Sequence, residues 1–153
     1  MKLYVLRHGE AEPLAPSDAA RRLTPRGEAE VRAVTQVCAQ RLAGLQRVVT
    51  SPYQRARQTA AELMRTLNFS GEFLVEAALT PAGDAGQVAA LIDALGGEAL
   101  LLVSHQPLVG ELLRYLTDRE DAGPMGTACL AALDITACAR GGARLLWLER
   151  PPG

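Results

Sequence analysis

At 153 residues with a formal net charge of −1, the chain has room for one domain with a real core and no overall attraction for nucleic acid or acidic membranes. Apolar residues make up 48% and charged residues 22%, an ordinary globular balance, so any positive field has to be local. Cys38, Cys129 and Cys138 make an odd count with no Cys-x-x-Cys pair, which argues against a disulfide framework or a zinc centre and fits a reducing compartment.

In chain order, residues 2–6 read as a buried strand, too short for a signal-peptide core and followed at once by charge. Thr24-Pro25 looks like a helix cap with proline at the first helical position. Val31, Val34, Cys38, Leu42 and Leu45 then recur at helical spacing. Residues 47–50 form a second short strand. Ser51-Pro52 is a second cap-plus-proline, with Tyr53, Ala56, Ala60, Leu63, Met64 and Leu67 marking the helix behind it. Residues 72–75 suggest a third strand. Val88, Leu91, Ile92 and Leu95 mark a third helix, closed by Gly96-Gly97. Residues 99–103 form the most apolar strand, and residues 107–117 a fourth helix. Residues 128–135 and 143–149 look like two late strands around the Arg140-Gly141-Gly142 turn, and they suit an antiparallel pair.

Strand alternating with helix predicts an α/β domain, a mostly parallel central sheet with helices on both faces. Residues 1–150 are expected to form this single domain and residues 151–153 a frayed tail. No stretch approaches membrane-spanning length, and the cytoplasm is the expected compartment. Aromatic residues are sparse, with Trp147 the only tryptophan, so a nucleic-acid role has little support.

In open α/β sheets ligands bind beyond the carboxyl ends of the strands. The first strand is followed by Arg7-His8-Gly9, the second by Thr50-Ser51-Pro52 with Arg55 in the next helical turn, and the 99–103 strand by Ser104-His105-Gln106-Pro107. The chain's only two histidines thus fall at the same kind of place as two arginines. Taken alone, His8 would be a satisfied strand-end side chain and Arg55 a surface arginine; their agreement at matching strand ends is what a purely structural reading does not explain. Arg26, Arg32 and Arg57 read as solvated surface residues.

The residue types point to phosphate. Arginine forks match phosphate oxygens, and helix N-termini add backbone donors. Gly9 would let backbone approach an anion without a side chain in the way. Neighbouring arginines should depress the His8 pKa and leave a neutral imidazole, which as a nucleophile needs its second ring nitrogen held by an acceptor. Metal binding finds no support: there is no His-x-His, no His-Glu-x-x-His and no cysteine or carboxylate cluster around either histidine.

These stretches resemble the histidine phosphatase superfamily, also called phosphoglycerate-mutase-like. Its Arg-His-Gly hallmark stands here as LRHGEAE, its loop signature as Arg21-Arg22-Leu23-Thr24-Pro25-Arg26-Gly27, its second-strand motif as SPYQRARQTA and its second histidine motif as VSHQPLVG. Within the superfamily the chain is most similar to the small SixA-type phosphohistidine phosphatases, on its short length, the Leu79-Thr80-Pro81-Ala82-Gly83-Asp84 stretch and the compact Ser-His-x-Pro-Leu-Val-Gly segment. The resemblance implies a three-layer αβα fold and a His8 nucleophile forming a transient phosphohistidine. Arg7, Arg55 and His105 would line the phosphate pocket, with Arg21 as the loop arginine; Ser51 and Gly9 belong to the expected binding set. Arg22 does not hold the loop position.

Larger members acting on small phosphate esters carry a helical insertion after the second helix, which supplies a lid and an acidic proton donor. Residues 68–84 leave no room for one, so the site should be shallow and open. That suits a phosphohistidine on a protein surface, such as a phosphotransfer domain, with inorganic phosphate as product and no cofactor. A phosphoramidate's imidazole can leave already protonated, so a dedicated general acid is less necessary. Glu10 and Asp84 are the carboxylates to watch, each reading first as a cap or loop acceptor. Two alternatives stay open at this point: a small-molecule phosphomonoesterase or mutase of the same superfamily, and a phosphate-binding module without turnover.

Overall fold

The computed structural model describes residues 1–153. Ten elements carry the architecture, in the order β1 (Lys2–Arg7), α1 (Pro25–Cys38), β2 (Arg47–Thr50), α2 (Gln54–Leu67), β3 (Glu72–Val75), α3 (Ala85–Leu95), β4 (Ala99–Ser104), α4 (Leu108–Thr117), β5 (Leu130–Ile135) and β6 (Ala143–Glu149), with short 3-10 turns between some of them. The six strands form one sheet in the order β3-β2-β4-β1-β5-β6. The β3-β2-β4-β1 pairings are parallel, and β5 runs antiparallel to both β1 and β6. This is the expected mostly parallel α/β sheet, closed on one side by the antiparallel pair.

Period-two alternation divides each central strand between two cores. Leu3 and Val5 of β1, with Leu100 and Leu102 of β4, pack on one face against Val88 and Ile92 of α3 and Leu108, Leu112 and Leu116 of α4. Tyr4 and Leu6, with Leu101 and Val103, turn to the other face and meet Val34 and Cys38 of α1 and Ala56, Ala60 and Leu63 of α2. β4 is buried along its whole length, as a strand covered by helices on both sides must be.

Local chemistry sets the helix ends. Thr24 accepts from the Gly27 amide at 2.9 Å and Pro25 opens α1; Asp84 does the same for α3, accepting from Gln87 N at 3.0 Å. The strand read over 128–135 begins at Leu130, the first strand and β4 run one residue further and α4 starts one later, and two helix boundaries differ for reasons of local chemistry. Apolar spacing runs on to Leu45, but α1 stops at Cys38 and a 3-10 turn, Ala39–Leu42, carries Leu42 into the same core. Ser51-Pro52 does not start α2: the chain bends at Pro52 and Tyr53, Tyr53 keeps extended dihedrals, and Ser51 Oγ accepts from the Tyr53 amide at 3.2 Å. Between α2 and α3 lie only β3 and a 3-10 turn, with no helical insertion. No helix is long and apolar enough to cross a membrane.

The parallel register brings three strand ends level. Leu6 and Thr50 both pair with Val103, and Arg7 pairs with Ser104. The ladder continues past the strands: His8 N donates to Ser104 O at 3.1 Å and Ser51 N to Val103 O at 3.0 Å. The helix after β1 covers one face and the helix after β4 the other, so the chain diverges between these two neighbouring strands and opens a crevice at their carboxyl ends.

Candidate active site

His8 and His105, the residues just after β1 and β4, meet there with ring centroids 5.1 Å apart. Both are buried. His8 Nδ1 lies 2.7 Å from Gly9 O. A carbonyl only accepts, so Nδ1 carries the proton and Nε2 presents its lone pair. Burial above all pushes the His8 pKa down to about 4, and the charges of Arg55, Arg7 and Arg21 push the same way against the Gly9 carbonyl. The shift runs in the direction expected from the sequence and favours a neutral imidazole, though burial rather than the arginines is its larger cause.

His105 Nε2 lies 2.7 Å from Ser51 Oγ. Ser51 Oγ already accepts from Tyr53 N, and donating its hydroxyl proton to His105 Nε2 satisfies both groups. That leaves Nδ1–H as a donor, and this Nδ1 is buried without a protein partner. Burial, followed by the neighbouring His8 and Arg55, lowers the His105 pKa to about 3.

The arginines complete the cluster. Arg7 Nη1 donates to Met125 O at 2.9 Å, while its buried Nε has no protein partner. Arg55, 4% exposed, donates from Nε to His8 Nε2 at 3.3 Å, from Nη1 to Asp18 O at 2.7 Å and from Nη2 to Asp18 Oδ2 at 3.2 Å. Arg21 reaches Asp18 Oδ1 at 3.0 Å and Glu12 O at 2.7 Å. The Asp18 carboxylate therefore bridges Arg55 and Arg21, and its pKa is lowered, chiefly by the Arg21 hydrogen bond.

Gly9 is at the site for a different reason from the one read in the sequence. A Cβ on Gly9 would stand 2.8 Å from Gly27 O, so the missing side chain admits α1 rather than an anion. Its amide is engaged too, donating to Thr59 Oγ1 at 3.1 Å. Its carbonyl is what serves His8. Glu10 accepts from the Thr24 hydroxyl at 2.9 Å and Asp84 caps α3, so both carboxylates have structural partners. Arg22 is exposed and contributes its carbonyl to Glu12 N. Arg57 is exposed, and Arg26 and Arg32 pair with Glu30 and Glu62.

Four residues around the cluster have no site role in the sequence reading, where Tyr53 is a helix-face residue and Gln106 part of the segment after the 99–103 strand. Asp18 lies in an irregular loop with no periodicity to flag it. Thr59 stands four residues after Arg55, on the same face of α2, and that spacing could have found it. Tyr53 packs edge-on against His105 with centroids 5.1 Å apart and lies under the Arg55 guanidinium. Gln106 Oε1 accepts from Gly110 N and Met125 N, steadying the carbonyl that Arg7 holds.

The histidine phosphatase superfamily (branch 1) matches residues 3–80. The chain belongs to this superfamily. It is 35% identical over 144 residues to phosphohistidine phosphatase SixA of Escherichia coli strain K12, covering 92% of this chain and 89% of that one. It is 34% identical over 143 residues to a SixA homolog of Haemophilus influenzae, covering 87% of each. The solved structure of the protein histidine phosphatase SixA complexed with tungstate superposes with a TM-score of 0.91 at 34% identity, covering 99% of this chain and 97% of that one. This histidine phosphatase is thus of the SixA type, and its sheet, without a helical insertion, brings His8, His105, Arg7 and Arg55 together where three strands end level.

Proposed function

We propose that the chain removes phosphate from a phosphorylated histidine on a protein, through a phosphohistidine formed on its own His8. As the phosphoryl group enters, Arg55 Nε turns its hydrogen bond from His8 Nε2 to a phosphoryl oxygen, Nε2 attacks phosphorus, and the bond from phosphorus to the substrate imidazole breaks. The leaving imidazole carries the proton it already holds on its other nitrogen, or takes one from solvent. Water then attacks phospho-His8, releases inorganic phosphate and restores the imidazole. Arg7, Arg55, Arg21 and the His105 Nδ1–H stabilise the phosphoryl oxygens as charge redistributes. Ser51 orients His105 and the Gly9 carbonyl orients His8. No step calls on a metal or cofactor.

The observation that carries this reading is the His8 ring, held by Gly9 O at 2.7 Å with an unprotonated Nε2 among arginines. A binder would need the arginines but not that lone pair. The substrate class follows from the short 68–84 connection, which leaves the site without a lid, and from the engaged states of Glu10 and Asp84. The names of the Escherichia coli and Haemophilus influenzae relatives support it. A phosphohistidine-bearing phosphotransfer domain fits such an open site.

The test incubates a phosphohistidine protein with wild type and His8→Ala without added metal, and traps acid-labile phosphate on the enzyme at low temperature. Wild type should release phosphate and carry the label; His8→Ala should do neither. Equal release by both would reject His8 as nucleophile. A strong preference for a phosphate ester in a substrate panel would move the chain to the small-molecule class.

A further inference from the structure

The Asp18 carboxylate takes no part in the transfer outlined above, yet it is bonded to two of the three arginines. Its Oδ2 takes Arg55 Nη2 at 3.2 Å and its Oδ1 takes Arg21 Nη1 at 3.0 Å. A carboxylate is the nearest thing a protein has to a phosphoryl edge: two anionic oxygens set to meet guanidinium forks.

We propose that Asp18 is a resident competitor for the phosphoryl group: it holds Arg55 and Arg21 by hydrogen bonds that a substrate phosphoryl takes over, and it reclaims them as inorganic phosphate leaves. This rests on the phosphatase reading of the site.

The two partners are held very differently, which decides which one moves. Arg55 is 4% exposed, and its guanidinium lies over the Tyr53 ring at 5.1 Å. The Asp18 side chain is 55% exposed and rides on a three-residue 3-10 turn, Asp18–Ala20, inside a loop whose residues 12–20 are all exposed. Water reaches the Asp18 end of each pair, which weakens the carboxylate's hold. A phosphoryl dianion, with more charge and a third oxygen, displaces the carboxylate and not the arginine.

Charge explains why the site gains from it. With both imidazoles neutral, Arg7, Arg21 and Arg55 oppose one Asp18 carboxylate, so the cluster carries two net positive charges and matches a phosphoryl dianion. Without Asp18 it would exceed the dianion by one. An over-charged open pocket holds its own product, whereas the substrate protein brings further contacts that free phosphate lacks. Asp18 therefore selects against the free ion and speeds its release.

Titration calorimetry of inorganic phosphate into wild type, Asp18→Asn and Asp18→Ala at fixed ionic strength tests this, with Arg55→Ala as the site control. Asn keeps the backbone carbonyl that Arg55 uses and nearly the same shape, but removes the charge and one of the two acceptor oxygens. Both Asp18 variants should bind phosphate about tenfold more tightly than wild type, and added phosphate should inhibit their turnover at correspondingly lower concentration. Unchanged or weaker phosphate binding in both, with thermal unfolding as in wild type, would make Asp18 a brace for the arginines and overturn the proposal. Phosphate binding that Arg55→Ala leaves untouched would instead overturn the reading of the site itself, and the proposal with it.

Discussion

At the scale of single residues, Arg55 shows how much one side chain is asked to do. Its Nε donates to His8 Nε2, its two Nη atoms meet Asp18, and its plane covers Tyr53. A lysine ammonium keeps the charge but is a point donor on a flexible stem and cannot occupy all these directions. Arg55→Lys should therefore lower kcat by about 100-fold or more, the order found on removing one preorganised transition-state donor. Steady-state kinetics on a phosphohistidine protein would show it, and an unchanged kcat would take Arg55 out of the reaction. Sequence could name Arg55, because it stands one helical turn beyond a strand end. It could not name Asp18, whose only mark is a position three residues before Arg21 in an irregular loop. Nor could it rank burial above charge in lowering the His8 pKa, since burial depends on what α1 and α2 bring over the ring.

Among elements, the seating of α1 on the loop after β1 is the contact most exposed to a small change. A Cβ on Gly27 would run into the Glu10 carbonyl oxygen, and one on Gly9 would stand 2.8 Å from Gly27 O. The first collision is with backbone, which cannot swing aside. Gly27→Ala should cost about 1–3 kcal/mol by overpacking and, because the Glu10 carbonyl sits next to the Gly9 unit that orients His8, should lower kcat as well. Urea unfolding and kinetics on the same preparation check both; wild-type stability would show that the helix can shift without cost. The element pattern itself was legible where one periodicity ruled, as in the all-apolar β4 or the Thr24-Pro25 start of α1. It misled where a polar side chain had a tertiary duty. Ser51 looked like a helix cap, but its hydroxyl serves His105 and α2 starts later, at Gln54. Leu42 and Leu45 kept helical spacing after the helix had ended, because the 3-10 turn still directs Leu42 into the core.

At the scale of the whole molecule, the site and the stability of the fold are joined through protons. The chain has only two histidines, and both sit buried in the cluster with pKa values lowered from 6.5 to about 4 and about 3. Above pH 6.5 the imidazoles are neutral in folded and unfolded chains alike, and stability is at its full value. As pH falls through 6.5 the unfolded chain takes up protons that the folded site refuses, so stability drops and continues to drop toward pH 4. The Asp18 and Asp121 carboxylates have pKa values lowered from 3.8, and their own losses begin at lower pH. The interval from pH 7 to 5 therefore reports the two histidines above the other groups. Each proton is worth about 1.4 kcal/mol per pH unit, so each histidine should remove about 2 kcal/mol by pH 5. Urea unfolding at pH 7.5, 6.5, 5.5 and 5.0 should show stability falling with a slope approaching two protons, and His8→Asn should reduce that slope to about one. A flat wild-type profile would mean that the folded site accepts these protons, which would deny His8 the unprotonated Nε2 on which the proposed attack depends.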